Sequence, residues 1–132
     1  MIVLDEQLVD PQIIGNIETW YKGKVTRIQD ERPLTKIPDD VIPALLRRLK
    51  APTFVTINYD DFWRRIPADS AYCVICLKLT SKRCSEISDI LRTILSRPEW
   101  STKRKRLGNV ILVSDQRIAH YSSKRQIRLI PR

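Results

Sequence analysis

Acidic side chains are the residues of this 132-residue chain whose types and spacing could do chemistry. Asp5 and Glu6 close the apolar opening run Ile2, Val3, Leu4. Asp39 and Asp40 follow Pro38, and Asp60 and Asp61 follow Asn58, just beyond the run Thr53, Phe54, Val55, Thr56, Ile57. Carboxylates gathered at one place take up protons or hold a cation, because two of them about 4 Å apart repel by roughly 4 kcal/mol at an effective dielectric near 20. Oxygen ligands without histidine or cysteine suit Mg²⁺ or Mn²⁺, which bind a few carboxylates together with water and phosphate oxygens. Other chemistries have less to work with. His120 is the single histidine, which argues against a Ser-His-Asp triad or a histidine-rich metal site. Cys73 and Cys76 form a Cys-x-x-Cys inside an apolar run that reads as a buried strand. Strand residues three apart point to opposite faces and cannot grip one zinc together. With Cys84 the count is three, an odd number that fits reduced thiols.

The elements that must position these acids alternate between strand and helix. Residues 2–4 read as a short strand. Pro11 opens a helix whose apolar face is Ile13, Ile14, Ile17, Trp20 and Tyr21, stopped by Gly23. Residues 24–28 read as a second strand. A helix beginning at Pro38-Asp39-Asp40 then places acids in its first turn and Arg47, Arg48 and Lys50 at its end, as the helix dipole favours. Residues 53–57 and 72–79 are further buried strands. Ser85 is a cap for a helix carrying Ile87, Ile90, Leu91, Ile94 and Leu95, ended by Pro98. Residues 110–113 and 117–121 pair as a hairpin, and residues 126–130 form a last strand. This alternation predicts an α/β fold: one domain over 1–132 with a mainly parallel sheet covered on both faces and antiparallel strands at its C-terminal side. In such a sheet ligands collect outside the carboxyl ends of the strands. Asp5 and Glu6, Asp39 and Asp40, and Asn58, Asp60 and Asp61 all reach that edge. Asp5 is the strongest of them, since an acid ending an apolar strand gains little structurally. Glu6 points the other way if the strand continues, and Asn58 reads as a turn residue. For Asp39 and Asp40 helix capping is an equal reading, and for Asp60 and Asp61 a turn is the alternative.

Charge adds a second theme. The chain carries 24 Lys and Arg against 15 Asp and Glu, a net of +9, yet residues 1–61 hold ten acids and eight bases whereas residues 62–132 hold five and sixteen. A basic half fits a polyanion such as nucleic acid, whose condensed counterions are released on binding. Lys103, Arg104, Lys105 and Arg106, with Lys124, Arg125 and Arg128, are the expected contacts to an RNA backbone. Trp63, Tyr59 and Trp100 either stack on unpaired bases or pack in the core. No apolar run approaches the roughly 20 residues of a membrane span. The first six residues lack a basic run and meet two acids, so the expected location is cytoplasmic.

Three segments together resemble the small PIN-like proteins: the opening Ile2, Val3, Leu4, Asp5, Glu6, Gln7, Leu8; the acidic Pro38-Asp39-Asp40; and Thr56, Ile57, Asn58, Tyr59, Asp60, Asp61, Phe62. The resemblance covers residues 1–80. It implies a three-layer α/β/α Rossmann-like domain and a Mg²⁺- or Mn²⁺-dependent ribonuclease, of which many small members are homodimeric toxins paired with a small DNA-binding antitoxin protein. Carried over, it implies Asp5, Asp40 and Asp61 as catalytic acids, with Asp39 and Asp60 as further metal ligands. The chain departs from the pattern at Gln7, where Asn is usual, and at Asn58, where Asp is expected. The Thr-to-Phe spacing is one residue longer, and a fourth acid is not evident. The alternative is a PIN-like module without catalysis that binds RNA or a protein partner. A receiver-like or phosphatase-like domain also clusters acids, but it trails for want of the downstream lysine of a phosphoacceptor site.

Overall fold

In the computed structural model, which describes residues 1–31, 37–123 and 126–132, the chain forms seven short strands. These are β1 (Ile2–Leu4), β2 (Val25–Arg27), β3 (Thr53–Thr56), β4 (Cys73–Leu77), β5 (Val110–Val113), β6 (Arg117–Tyr121) and β7 (Arg128–Pro131). They build one sheet in the order β2-β1-β3-β4-β5-β6-β7. β1 to β5 run parallel, and β6 and β7 return antiparallel as the predicted hairpin and last strand. Strand β7 starts two residues later than its sequence pattern implies. The α/β class and the mainly parallel sheet are therefore as the alternation predicts.

The described residues also form the α-helices α1 (Pro11–Glu18), α2 (Ile28–Glu31), α3 (Ile42–Arg47), α4 (Tyr59–Phe62), α5 (Ile87–Leu95) and α6 (Lys103–Arg106). On one face α1 and α5 bury Ile13, Ile17, Ile87, Leu91 and Ile94 against Ile2, Leu4, Val55, Ile75 and Ile111. On the other, α2, α3 and α4 bury Ile28, Ile42, Leu46 and Phe62 against Val3, Phe54, Val74 and Val110. Each such side chain taken from water contributes about 1.5–3 kcal/mol. Strand alternation divides the sheet residues between the two cores. Cys73 faces the first and Cys76 the second, which is why the Cys-x-x-Cys cannot act as a pair. Burial pushes both thiols up to about 12.

Three local expectations are corrected. The acids after Pro38 sit on a 3₁₀ turn, Asp39–Val41, and α3 begins only at Ile42 with Pro43 in its first turn, where a missing N–H is harmless. Ser85 caps nothing: it lies within a 3₁₀ segment, Ser81–Glu86, that leads directly into α5. Helix α1 ends at Glu18, so Trp20 and Tyr21 lie beyond it, where the Trp20 Nε1 donates to Ser88 Oγ at 2.8 Å. No helix among the described residues is long and apolar enough to cross a membrane.

Candidate functional site

The chain leaves β1 and crosses to β2 over one face through α1, then passes from β2 to β3 over the other face through α3. The connections therefore diverge between β1 and β3, and in a parallel sheet the crevice at such a divergence is where ligands bind. Asp5 and Thr56 are the residues at that crevice. Leu4 is in register with Val55, so the next residues on each strand, Asp5 and Thr56, stand side by side. Thr56 Oγ1 donates to Asp5 Oδ2 at 2.6 Å, and the Glu6 amide donates to Asp5 Oδ1 at 2.8 Å. The Thr56 hydroxyl in turn accepts from the Asn58 amide at 2.9 Å, which fixes its direction. Asp5 is only 4% exposed.

Around Asp5 three further acids collect. Burial raises the Asp5 carboxyl above its ordinary value; the bonds from Thr56 and Glu6 pull it down, and the charges of Glu6 and Asp61 push it up. The Asp39 carboxyl is raised by desolvation in the crevice, by a hydrogen bond with Asp61 and by the fields of Asp5, Asp61 and Glu6. One Glu6 carboxylate oxygen is buried without a hydrogen-bond partner. Asn58 Nδ2 donates to Asp61 Oδ2 at 2.6 Å and so orients it. The four acids come from the turn after β1, the 3₁₀ turn before α3 and the short α4.

Asp39 and Asp61, with Asp40, Arg65 and Ile66, line an open cleft of about 460 Å³. Asp40 borders the cleft, but Asp39 is the acid that faces Asp5, Glu6 and Asp61. Asp60 is exposed, outside the cleft lining. Glu6 belongs to the cluster, although strand alternation points it away. The strand ends at Leu4 and the chain turns at once, with the Leu8 amide donating to the Asp5 carbonyl. Alternation no longer applies there, and the side chain swings back to the acids.

An oxygen-only set with one orphaned buried oxygen has the chemistry of a Mg²⁺ or Mn²⁺ site. As the side chains stand, no three His, Cys, Asp or Glu among the described residues converge to hold a metal ion. Asp39 and Asp61 are exposed at the open cleft.

The predicted basic contacts lie elsewhere. Lys103–Arg106 forms α6, which precedes β5 and so stands at the amino end of the parallel strands. There the charges of Lys103 and Arg106 reach the Met1 amino group. Arg106 is 6% exposed and donates to the Trp100 carbonyl at 3.1 Å, a structural bond that withdraws it from any surface. Trp100 is likewise buried, edge-on to His120. Tyr59 is half-buried beneath Lys78, and Trp63 is half-buried against Tyr121. Arg128 is exposed on the edge strand β7, and Lys124 and Arg125 lie outside the described residues. Asp115 pairs with Arg83 at 2.8 Å in the turn between β5 and β6, away from the acids.

No protein-family model, no curated protein and no solved structure significantly matches this chain.

Proposed function

We propose that the chain is a PIN-like ribonuclease that cleaves RNA phosphodiesters with Mg²⁺ or Mn²⁺ held by Asp5, Asp39, Asp61 and Glu6. One observation supports this reading above the others. A buried carboxylate, Asp5, is fixed by two hydrogen bonds at the β1/β3 crevice with three more acids around it and, among the described residues, no basic side chain paired to it. Such an arrangement is costly for folding alone and is the kind that function retains.

A divalent ion bound there supplies an activated water and stabilises charge on the phosphodiester. The chain's own residues do the positioning. Thr56 holds Asp5 in one rotamer through its single donated bond, and Asn58 fixes the orientation of Asp61. Glu6 brings an oxygen with no other partner. Arg65, at the rim of the same cleft, presents a cation to the substrate's phosphates. On the resemblance alone, the reading extends to the toxin of a toxin–antitoxin pair, acting as a cytoplasmic homodimer restrained by a small DNA-binding antitoxin.

Purified protein is expected to cleave single-stranded RNA with Mg²⁺ or Mn²⁺, and Asp5→Asn to lower the rate at least about 100-fold, the scale of losing a transition-state contact. Calorimetric titration with Mn²⁺ supplies a readout independent of turnover: heat for the wild type and none for Asp5→Asn. Undiminished cleavage in EDTA, or by Asp5→Asn, overturns the proposal.

A second reading has its own observation. Asn58 already occupies one Asp61 oxygen, at the position where the family pattern carries an acid. In a binding module that has lost catalysis, the Asn58 amide would satisfy Asp61 by hydrogen bonding in place of a cation. RNA binding with no Mn²⁺ heat would select it.

A further inference from the structure

The chain leaves the acid cluster along a second groove, whose exposed lining is basic and apolar. Helix α4 ends at Phe62, and Arg64 then takes a left-handed backbone with φ of 65°. That reversal turns the chain so that Arg65 and Ile66 both close back on the Phe62 carbonyl, at 3.1 and 3.0 Å. Both arginine side chains are left exposed, and among the described residues neither is paired with an acid. A left-handed arginine costs on the order of 1 kcal/mol that glycine would not, and strain of this kind is retained most often where it serves a ligand.

Arg64, Arg65, Ile66, Tyr121, Ser123 and Ile127 line this groove, about 360 Å³ in volume. Arg65 and Ile66 also line the cleft that holds Asp39 and Asp61, so the two hollows meet along one wall. Behind it stands an aromatic pair, Trp63 and Tyr121, with ring centroids 5.2 Å apart. The Tyr121 hydroxyl donates to the Ile66 carbonyl and fixes the groove wall to strand β6. Ile127, 39% exposed, adds apolar surface.

Two cations for phosphates beside the exposed apolar surface of Ile127, on a wall stiffened from behind by Trp63 and Tyr121, suit a single strand whose bases are free to lie on the protein. A duplex would present its bases stacked inward and gain nothing from Ile127. The Lys103–Arg106 helix offers more charge but lines no part of this groove, and it stands at the amino end of the parallel strands, away from the acids.

We infer that single-stranded nucleic acid enters along the Arg64–Arg65 groove, with its phosphates on these two arginines, and is delivered by Arg65 to the acid cluster. The assignment of the acid end rests on the ribonuclease reading; the groove itself does not.

The test is binding without turnover: fluorescence anisotropy of a labelled 12-nucleotide oligouridylate in EDTA, measured across a salt series. Arg64→Gly with Arg65→Ala removes both charges. Glycine suits the backbone at 64, and melting temperature and circular dichroism verify that the fold is kept. This double variant is expected to bind at least fivefold more weakly. The slope of log affinity on log salt should also fall by about 1.4, the value for two phosphate contacts to a single strand. Lys103→Ala with Arg104→Ala and Lys105→Ala is expected to change affinity less than twofold. No binding by the wild type, or a larger loss from the triple variant than from the double one, overturns the groove. Asp61→Asn separates the two proposals, since with one negative charge fewer it should bind at least as tightly as wild type while losing cleavage. If the arginine pattern holds and no variant or wild type cleaves, the track stands and the ribonuclease reading falls.

Discussion

The two ends of the parallel strands handle buried charge in opposite ways. At the amino end Arg106 is buried but donates to the Trp100 carbonyl, and its helix packs beside the edge-on pair of Trp100 and His120. At the carboxyl end Asp5 is buried among Glu6, Asp39 and Asp61, and desolvation with the nearby negative charge raises the Asp5 and Asp39 carboxyls. Four strand steps at about 3.3 Å separate Met1 from Asp5 by roughly 13 Å. That exceeds the Debye length of about 8 Å at physiological salt, so bases at one end do little to neutralise acids at the other. The lesson is that a net charge describes neither end. One end has resolved its charge for stability, while the other has left it unresolved.

On that contrast, removing a charge at one end and at the other must move stability in opposite directions. Trp100 is 2% exposed, so Trp100→Ala should cost about 3–5 kcal/mol and lower the melting temperature by more than about 10 °C. A scanning-calorimetry shift of only a few degrees would mean that the amino end is not the packed region described here. Arg106→Met keeps the side chain's length and removes its charge. It leaves the Trp100 carbonyl without its donor, a loss of about 1–2 kcal/mol by denaturant titration. The figure belongs near the lower end, because Arg106 Nε is itself buried without a partner.

How much of this is legible in the sequence depends on which rule operates at each residue. Apolar runs at 2–4, 53–57, 72–79 and 110–113 mark strands because burial on both faces leaves no other use for them. Alternation separates Cys73 from Cys76 correctly. The meeting of Asp5, Asp39 and Asp61 follows from topology, since each lies where a strand ends or a returning segment begins. Glu6 escapes the same logic because it sits one residue beyond the strand, where the turn and not the pleat decides direction. The basic run was legible in principle: residues that precede a parallel strand enter at its amino end, away from the acids. The burial of Arg106 against Trp100 had no signal, because six residues of separation say nothing about a guanidinium meeting a carbonyl. Arg64 and Arg65 had none either, since only the left-handed turn after α4 shows that they border a groove.

The hydrogen bond from Thr56 offers a finer probe of the carboxyl end. It favours ionised Asp5, so Thr56→Val should raise that carboxyl further. If ionised Asp5 is required for cleavage, the acid limb of the pH–rate profile moves to higher pH in the variant. The variant should also lose about 1 kcal/mol of stability, because the Asn58 amide loses its acceptor. An unmoved acid limb would remove Asp5 from the titrating machinery.

The smallest effect tests the sign most directly. Asp39 is raised in the folded protein, so its contribution to stability is fully present below the unfolded carboxylate value near 4. That contribution is lost as pH rises through the raised folded value, and at pH 7 the charge opposes folding. Asp39→Asn removes this penalty. Because Asp39 faces solvent, screening holds the gain to about 0.5 kcal/mol, or one to two degrees of melting temperature. The gain should be present at pH 7 and absent at pH 4. Millimolar Mg²⁺ or Mn²⁺ should raise the wild type toward the variant, since a bound cation relieves the repulsion that the substitution removes. A variant less stable than wild type at pH 7 would mean that Asp39 is held by favourable contacts, and the carboxyl end would then resemble the amino end after all.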